Sequence, residues 1–480
     1  MSADDVWIGL DVGTQSARAV AVTGDGCVVG SGSVALHSRR DGERHEQDPR
    51  SWWPAVAAAS RAALAGVASA RIRGVATCAT SGTMLLVDAG GEPLTPGLMY
   101  DDGRAGEQAA RLSGALGTPM STSWVLPKLL WLLEQEPRLA RGARLAHQAD
   151  VVTRALAGHA VASDSSHALK SGYDQLRECW PALGVPDGLL PAVVRSGTRL
   201  GEVCADACAD TAIPAGTPIV AGMTDGCAAQ LAAGALREGD WNAVLGTTLV
   251  LKGYGSRRVH DPGGVLYSHR APDGGWLPGG ASSSGAGVLS AEFAGRDLAE
   301  LGRRAEAFAG TRVLAYPLVS RGERFPFSAP DAQAFTVGEP SDEAERFAAL
   351  LQGVAFVERL CLDYVDLLGA PTAGAWTLTG GATRSRAWCA LRADVLGRPV
   401  RLVEQPEAAV GMAVLAASAC GSAALAATAD AIVRTREALQ PRCDAAPRLL
   451  DSYARFVCEL ERRGWLGPAL ARHARERAGA

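Results

Sequence analysis

The chain has 480 residues, 48% of them hydrophobic and 20% charged, which is too long for one ordinary core; two lobes of roughly 200 residues each are expected. A net charge of −4 gives no electrostatic footprint for nucleic acid, so a small-molecule partner is expected. Lys128, Lys170 and Lys252 are the only lysines and none stands in a Gly-Lys-Ser/Thr run, which excludes a P-loop and requires any nucleotide to be held another way.

The eleven cysteines are scattered without a C-x-x-C pair and read as reduced core thiols. Met1 to Asp5 lacks a basic segment followed by an apolar one, so no signal peptide is expected and the cytoplasm is the default location.

Trp7 to Thr14 opens with an apolar run ending in Asp11, followed by a Gly-Thr turn; Ala17 to Thr23 and Cys27 to Leu36 continue it as a meander of strands. Gly13 admits a ligand to the backbone, Thr14 offers an amide and a hydroxyl, and Asp11 is able to face a hydrated metal ion. Gly30 to Ala35 matches G-x-G-x-x-A formally, but no helix pattern follows, so the dinucleotide reading is discarded. Asp48 and Pro49 start a helix running to about Ala70. Ile72 to Cys78 is a strand, and Thr80 to Thr83 is a hydroxyl-rich break suited to a polyol, though an ordinary Ser/Thr turn has equal weight. Asp101 and Asp102 are placed at a helix start, Lys128 to Leu139 on a helix, and Ser163 to Tyr173 in a solvated polar loop.

Pro218 to Thr224 is a buried strand delivering Asp225 to its end, where a general base belongs; a helix cap is the plainer use of that carboxylate. Gly222 and Gly226 leave room beside it. Trp241 to Leu245, Gly246-Thr247-Thr248 and Leu249 to Tyr254 repeat the strand, Gly-Thr turn, strand logic of the N-terminus, which points to a duplicated architecture gripping a phosphate. Ser320 to Pro326 is read as a charged loop stapling the lobes. Trp376 to Thr379 leads into Gly380 and Gly381 and then a helix, a geometry able to hold a nucleotide. Ala408 to Thr428 carries no charge, yet its Ala, Gly and Ser content reads as a buried helix and turn rather than a membrane span. Leu449, Leu450, Tyr453, Val457 and Leu460 recur at helical spacing in an amphipathic tail.

An Asp-x-Gly-Thr turn, a Thr-Asp-Gly carboxylate, a Gly-Thr-Thr turn and a Gly-Gly turn stand in this order, with Glu46 to Pro49, Asp102 to Arg104 and Gly322 to Arg324 between them. In this arrangement the chain resembles the FGGY carbohydrate kinases of the actin, hexokinase and Hsp70 superfamily. Within that family it is most similar to the short D-ribulose kinases of cyanobacteria and plants, through Thr80 to Thr83, His167 to Lys170, Leu249 to Lys252, Tyr267 to His269 and Ser320 to Pro326. The Gln-Met-His-Gly of xylulose kinases is absent.

The resemblance implies an α/β fold of two ribonuclease-H-like lobes closing over a central cleft: 1–238 for the sugar, 239–438 for the nucleotide, and 439–480 as a helical tail on the second lobe. It implies ATP-dependent phosphorylation of a ketopentose, with D-ribulose first and D-xylulose or another pentulose or polyol as alternatives. Asp225 corresponds to the catalytic base; Asp11, Thr80, Ser81 and Asp225 to the sugar site; and Asp11 and Asp225 to the ligands of Mg2+, reached through water. Thr14, Gly246, Thr247, Thr248, Gly380, Gly381 and Ser385 correspond to the ATP site. Sugar and ATP are the expected partners, without nucleic acid or membrane, in a monomer or homodimer. Two positions depart from the pattern: Cys78 stands where the ribulose kinases usually have Asp, and Ser385 where the family often has Asn. A nucleotide-dependent switch protein of the same superfamily is the competing class.

Overall fold

Val6, Ile8, Leu10 and Val12 are fully buried and Trp7 nearly so, the pattern of a strand covered on both faces. This strand, β1 (Val6–Val12), pairs antiparallel with β2 (Ser16–Thr23), which pairs antiparallel with β3 (Val28–Ala35). On its other side β1 runs parallel to β4 (Ile72–Ala79). Beyond β5 (Arg199–Glu202), the strand β6 (Pro218–Thr224) runs parallel to β4, giving a sheet in the order β5-β6-β4-β1-β2-β3. The expected meander is present, and the G-x-G-x-x-A run lies within β3.

The structure, a computed structural model, describes residues 2–116, 120–186, 188–442 and 446–479. Its contacts divide the chain into two units, one of Met1–Gly234, His269–Gly274 and Gln405–Arg434, the other of Ala235–Ser268, Gly275–Glu404 and Thr435–Ala480. The expected second lobe, 239–438, is therefore interrupted. Residues 405–434 join the first unit because the uncharged helix Ala408–Cys420, buried over most of its length, packs on β1, β4 and the helix Asp225–Ala232. A short turn and a second helix, Leu425–Ile432, follow it, and no helix among the described residues is long and apolar enough to cross a membrane.

The second unit repeats the plan of the first. Strands β7 (Trp241–Leu245), β8 (Leu249–Gly253), β9 (Trp276–Ala281), β10 (Trp376–Thr379), β11 (Val400–Val403) and β12 (Thr435–Leu439) stand in the order β9-β8-β7-β10-β11-β12. Again a central hairpin, β7 with β8, is followed sideways by parallel strands, β7 with β10 and β10 with β11. The helix Glu343–Leu367 crosses its core, and the tail helices Ala446–Arg462 and Pro468–Ala478 pack in the same unit.

Several local expectations change. The helix after Pro49 spans Trp52–Leu64, because Asp48 caps a separate short turn, its carboxylate accepting from the Arg50 amide at 3.0 Å. The helix at Lys128 spans Val125–Gln135, followed by a tight turn at Pro137–Ala140. Asp102 serves no helix start: it is fully buried, pairs with Arg104 at 2.7 Å and accepts from the His45 amide at 2.9 Å. Cys27, Cys179 and Cys458 are exposed rather than core thiols, and Cys443 lies outside the described residues. Gly222 leaves no room for a ligand. A Cβ there would stand 1.7 Å from the Thr77 carbonyl oxygen, so it is the irregular pairing of β6 with β4 that requires glycine.

Candidate active site

Three parallel strands of the first unit end side by side and carry the expected acids with them. In register, Asp11 of β1 stands opposite Cys78 of β4, and Met223 and Thr224 of β6 stand opposite Cys78 and Ala79. The next residues are Thr80 and Ser81 on one strand end and Asp225 on the other, so Asp11, Ser81 and Asp225 meet where ligands of α/β sheets bind, beyond the carboxyl ends of strands.

Asp225 is the first residue of the helix Asp225–Ala232, behind Thr224 at the cap position. Its carboxylate accepts from the Gly226 amide at 2.7 Å, which locks its orientation without satisfying both oxygens. Withdrawal of water by the surrounding protein raises its pKa above the ordinary value, opposed by the Gly226 amide, the charges of Lys170 and His167, and the Ser81 amide. Asp11 rises to about 6, first through loss of water and then through the Asp225 charge, while the Cys78 thiol and Arg18 act the other way. The Cys78 thiol donates to Asp11 Oδ1 at 3.5 Å, and burial followed by the two acids pushes its own pKa well up. Cys78 is thus a neutral donor to Asp11, where a carboxylate would add a third negative charge.

Two carboxylates that oppose each other's ionisation and present hard oxygen ligands fit a hydrated magnesium ion. Among the described residues no cluster of three or more His, Cys, Asp or Glu side chains is able to hold a metal, so such an ion would depend on water and phosphate for its remaining ligands.

The hydroxyl-rich break divides its work. Thr80 Oγ1 donates to Gln148 Oε1 at 2.8 Å and lies 2.5 Å from Thr83 Oγ1, so the first sugar-site candidate is engaged inside the protein. Ser81 Oγ is buried and has no hydrogen-bond partner among the described residues. The segment Ser163 to Tyr173, expected as a solvated loop, is folded beneath this turn as the short strand Ser163–Asp164 and the short helix Ser165–Ala168, with His167 and Lys170 buried. Asp164 caps that helix through the His167 amide at 2.8 Å, which turns the histidine inward. Lys128 was overlooked from sequence: fully buried, it donates to the carbonyls of Gly82 at 2.6 Å and Met99 at 2.9 Å. Its signal was its being one of three lysines in a chain that otherwise uses arginine.

Burial and the neighbouring Lys170 charge bring Lys128 down to about 7. A lysine depressed in the folded state binds its proton more tightly when unfolded, so the folded state gains stability as the pH rises from about 7 towards about 10. Between pH 7 and pH 9 the wild type should gain ~2 kcal/mol over Lys128→Met. Denaturant midpoints at the two pH values measure this, and parallel pH dependence in the two proteins would refute it.

In the second unit the two expected nucleotide turns also lie together. Val244 of β7 is in register with Thr379 of β10, so Gly246-Thr247-Thr248 and Gly380-Gly381 leave adjacent parallel strand ends. Gly380 has φ +87°, and a Cβ there would lie 2.5 Å from the Leu245 carbonyl oxygen, a double requirement for glycine. Ser385 caps the helix Arg386–Leu396 by accepting from the Trp388 amide at 3.2 Å, so its hydroxyl has a structural use. Thr14, at the β1–β2 turn of the first unit, is held through its carbonyl by Gln47 Nε2 at 2.7 Å. Glu323, expected in a loop stapling the lobes, is instead buried in the second unit and binds the bend at Ser282 to Ser284.

Residues 6–232 match the N-terminal domain of the FGGY family of carbohydrate kinases, and residues 242–420 match its C-terminal domain. A xylulose kinase of Streptomyces coelicolor is 31% identical over 437 residues, covering 85% of this chain and 87% of that protein. A gluconokinase of Bacillus subtilis is 23% identical over 453 residues, covering 86% and 87%. The crystal structure of xylulose kinase from Rhodospirillum rubrum superposes with a TM-score of 0.87 at 26% identity, covering 96% of this chain and 99% of that one.

Proposed function

The chain belongs to the FGGY family of carbohydrate kinases, and from that premise we propose that it transfers the γ-phosphoryl group of ATP to the terminal hydroxyl of a ketopentose, D-ribulose first. The observation that carries this reading is the meeting of Asp11, Ser81 and Asp225 at three adjacent parallel strand ends. Asp225 takes the proton of the terminal hydroxyl as its oxygen bonds to the γ-phosphorus and the bond to the bridging oxygen of ADP breaks. Ser81 Oγ, which no group among the described residues engages, hydrogen-bonds the sugar. Asp11 and Asp225 would hold a magnesium ion through water, and such an ion would supply neutralisation of phosphate charge. The turns Gly246 to Thr248 and Gly380 to Gly381 hold the nucleotide through backbone amides, with Thr14 assisting and the helix capped by Ser385 behind them.

D-ribulose is favoured because Thr80 to Thr83 and His167 to Lys170, the stretches resembling the D-ribulose kinases, converge on Asp225. D-xylulose is the second reading, favoured by the likeness to the xylulose kinase of Streptomyces coelicolor. A coupled ADP-release assay with Mg-ATP and a panel of D-ribulose, D-xylulose, L-ribulose, L-xylulose, ribitol and glycerol tests both. The highest kcat/KM on D-ribulose supports the first, the highest on D-xylulose replaces it with the second, and ATP hydrolysis that no sugar stimulates rejects both.

A further inference from the structure

The turn that carries Ser81 has its carbonyl groups taken by basic side chains from two other segments of the first unit. His167 Nε2 donates to Ala79 O at 3.3 Å, Lys170 Nζ to Ser81 O at 3.1 Å, and Lys128 Nζ to Gly82 O at 2.6 Å. All three are buried, at 1%, 8% and 0% exposure. His167 is an imidazolium by its surroundings alone, since its Nδ1 faces Asp164 Oδ2 at 2.7 Å and its Nε2 faces a carbonyl, neither of which is able to donate.

An ordinary turn does not need this. Its carbonyls reach water or backbone amides, and burying cations costs several kcal/mol each unless opposite charge compensates. The compensation here is on the far side of the same peptide groups. The Ser81 amide and the charges of Lys170 and His167 all favour the charged form of the Asp225 carboxylate. The Ser81 peptide thereby stands between an ammonium bound to its carbonyl and the Asp225 carboxylate, whose charged form its amide favours, and its hydroxyl has no partner among the described residues.

We propose that Lys170 is a positioning residue for phosphoryl acceptance: its ammonium fixes the Ser81 carbonyl so that the amide and hydroxyl of Ser81 face Asp225 and the sugar. This rests on the reading of Asp225 as the base acting on a ketose. Lys170 touches neither the sugar nor the transferred group in this scheme; it acts through Ser81.

The test compares wild type, Lys170→Met, Lys170→Gln and Lys170→Arg for kcat, KM of the ketose, KM of ATP and melting temperature. Misplacing a group in the acceptor site by about 1 Å costs on the order of 100-fold. Lys170→Met should therefore lower kcat/KM for the ketose about 100-fold while KM for ATP stays within about twofold. Lys170→Gln keeps a donor without the charge and should fall as far; Lys170→Arg keeps both and should recover most of the loss. If Lys170→Met does not fold, the Gln and Arg pair decides by the same criterion. Ketose kinetics equal to wild type in Lys170→Gln overturn the proposal, and so does a parallel loss of ketose and ATP use, which marks general disruption. Failure of the kinase reading is separate and visible first: wild type that phosphorylates no sugar removes both, whereas active wild type with indifferent Lys170 variants removes only this one.

Discussion

Asp225→Asn should lose about 10²- to 10⁴-fold in kcat, the usual contribution of a general base, while retaining most of its affinity for the ketose. The amide is the same size as the carboxylate, and its oxygen still accepts from the Gly226 amide at the start of the helix Asp225–Ala232. What disappears is the proton acceptor. The substitution also removes a negative charge that now raises the pKa of Asp11. Folding should therefore be unharmed, with a melting temperature equal to wild type or a few degrees higher, as expected where catalysis and stability compete. Steady-state kinetics on the best ketose of the panel, together with calorimetric binding of that ketose, separate the two effects. A kcat within about threefold of wild type would mean that Asp225 only starts its helix, the plainer role that its position at a strand end also allowed.

The different legibility of the parts has physical reasons. Buried strands announce themselves as continuous apolar runs, so β1, β4, β6, β7 and β10 were all found in place with their Gly-Thr, Thr-Asp-Gly and Gly-Gly endings. Being parallel neighbours, they bring those endings together, and strand order alone then assembles Asp11 with Asp225 and Gly246 with Gly380. Polar side chains buried by the tertiary fold gave no such signal. Ser163 to Tyr173 has the composition of a loop, and only its placement under the Thr80 to Thr83 turn makes His167 and Lys170 interior groups. Lys128 lies on an apolar helix, where a lone lysine ordinarily snorkels to water; here two backbone carbonyls accept its hydrogen bonds instead. The membership of residues 405–434 in the first unit was hidden for a related reason: a helix without charges shows that it is buried, not against what.

Glu323 is the second position where one substitution should have a large effect. Its carboxylate is 3% exposed and saturated with donors. Oε1 accepts from the amides of Ser283 at 2.6 Å and Arg324 at 2.9 Å, and Oε2 from the hydroxyls of Ser282 and Ser284 at 3.0 Å and Tyr316 at 2.8 Å. These bonds hold the bend from Ser282 to Gly287 onto the Gly246 to Thr248 turn, which receives the amides of Ala286 and Gly287 at 2.9 and 3.0 Å. Glu323→Ala leaves several buried donors unmet, each worth ~1–3 kcal/mol, so the second unit should lose ~4 kcal/mol and melt roughly 10 °C lower. Glu323→Gln should be nearly as harmful, because an amide group placed on either side would face donors with donors. The turn would loosen along with the bend. KM for ATP should accordingly rise about tenfold or more in Glu323→Gln, while calorimetric binding of the ketose without nucleotide remains that of wild type, since every residue proposed to bind sugar lies in the first unit. A variant that melts early yet uses ATP normally would show that the bend supports the second unit without shaping its nucleotide turn. A raised KM for ATP with unchanged ketose binding would assign Glu323 to the nucleotide turn through the serines it holds.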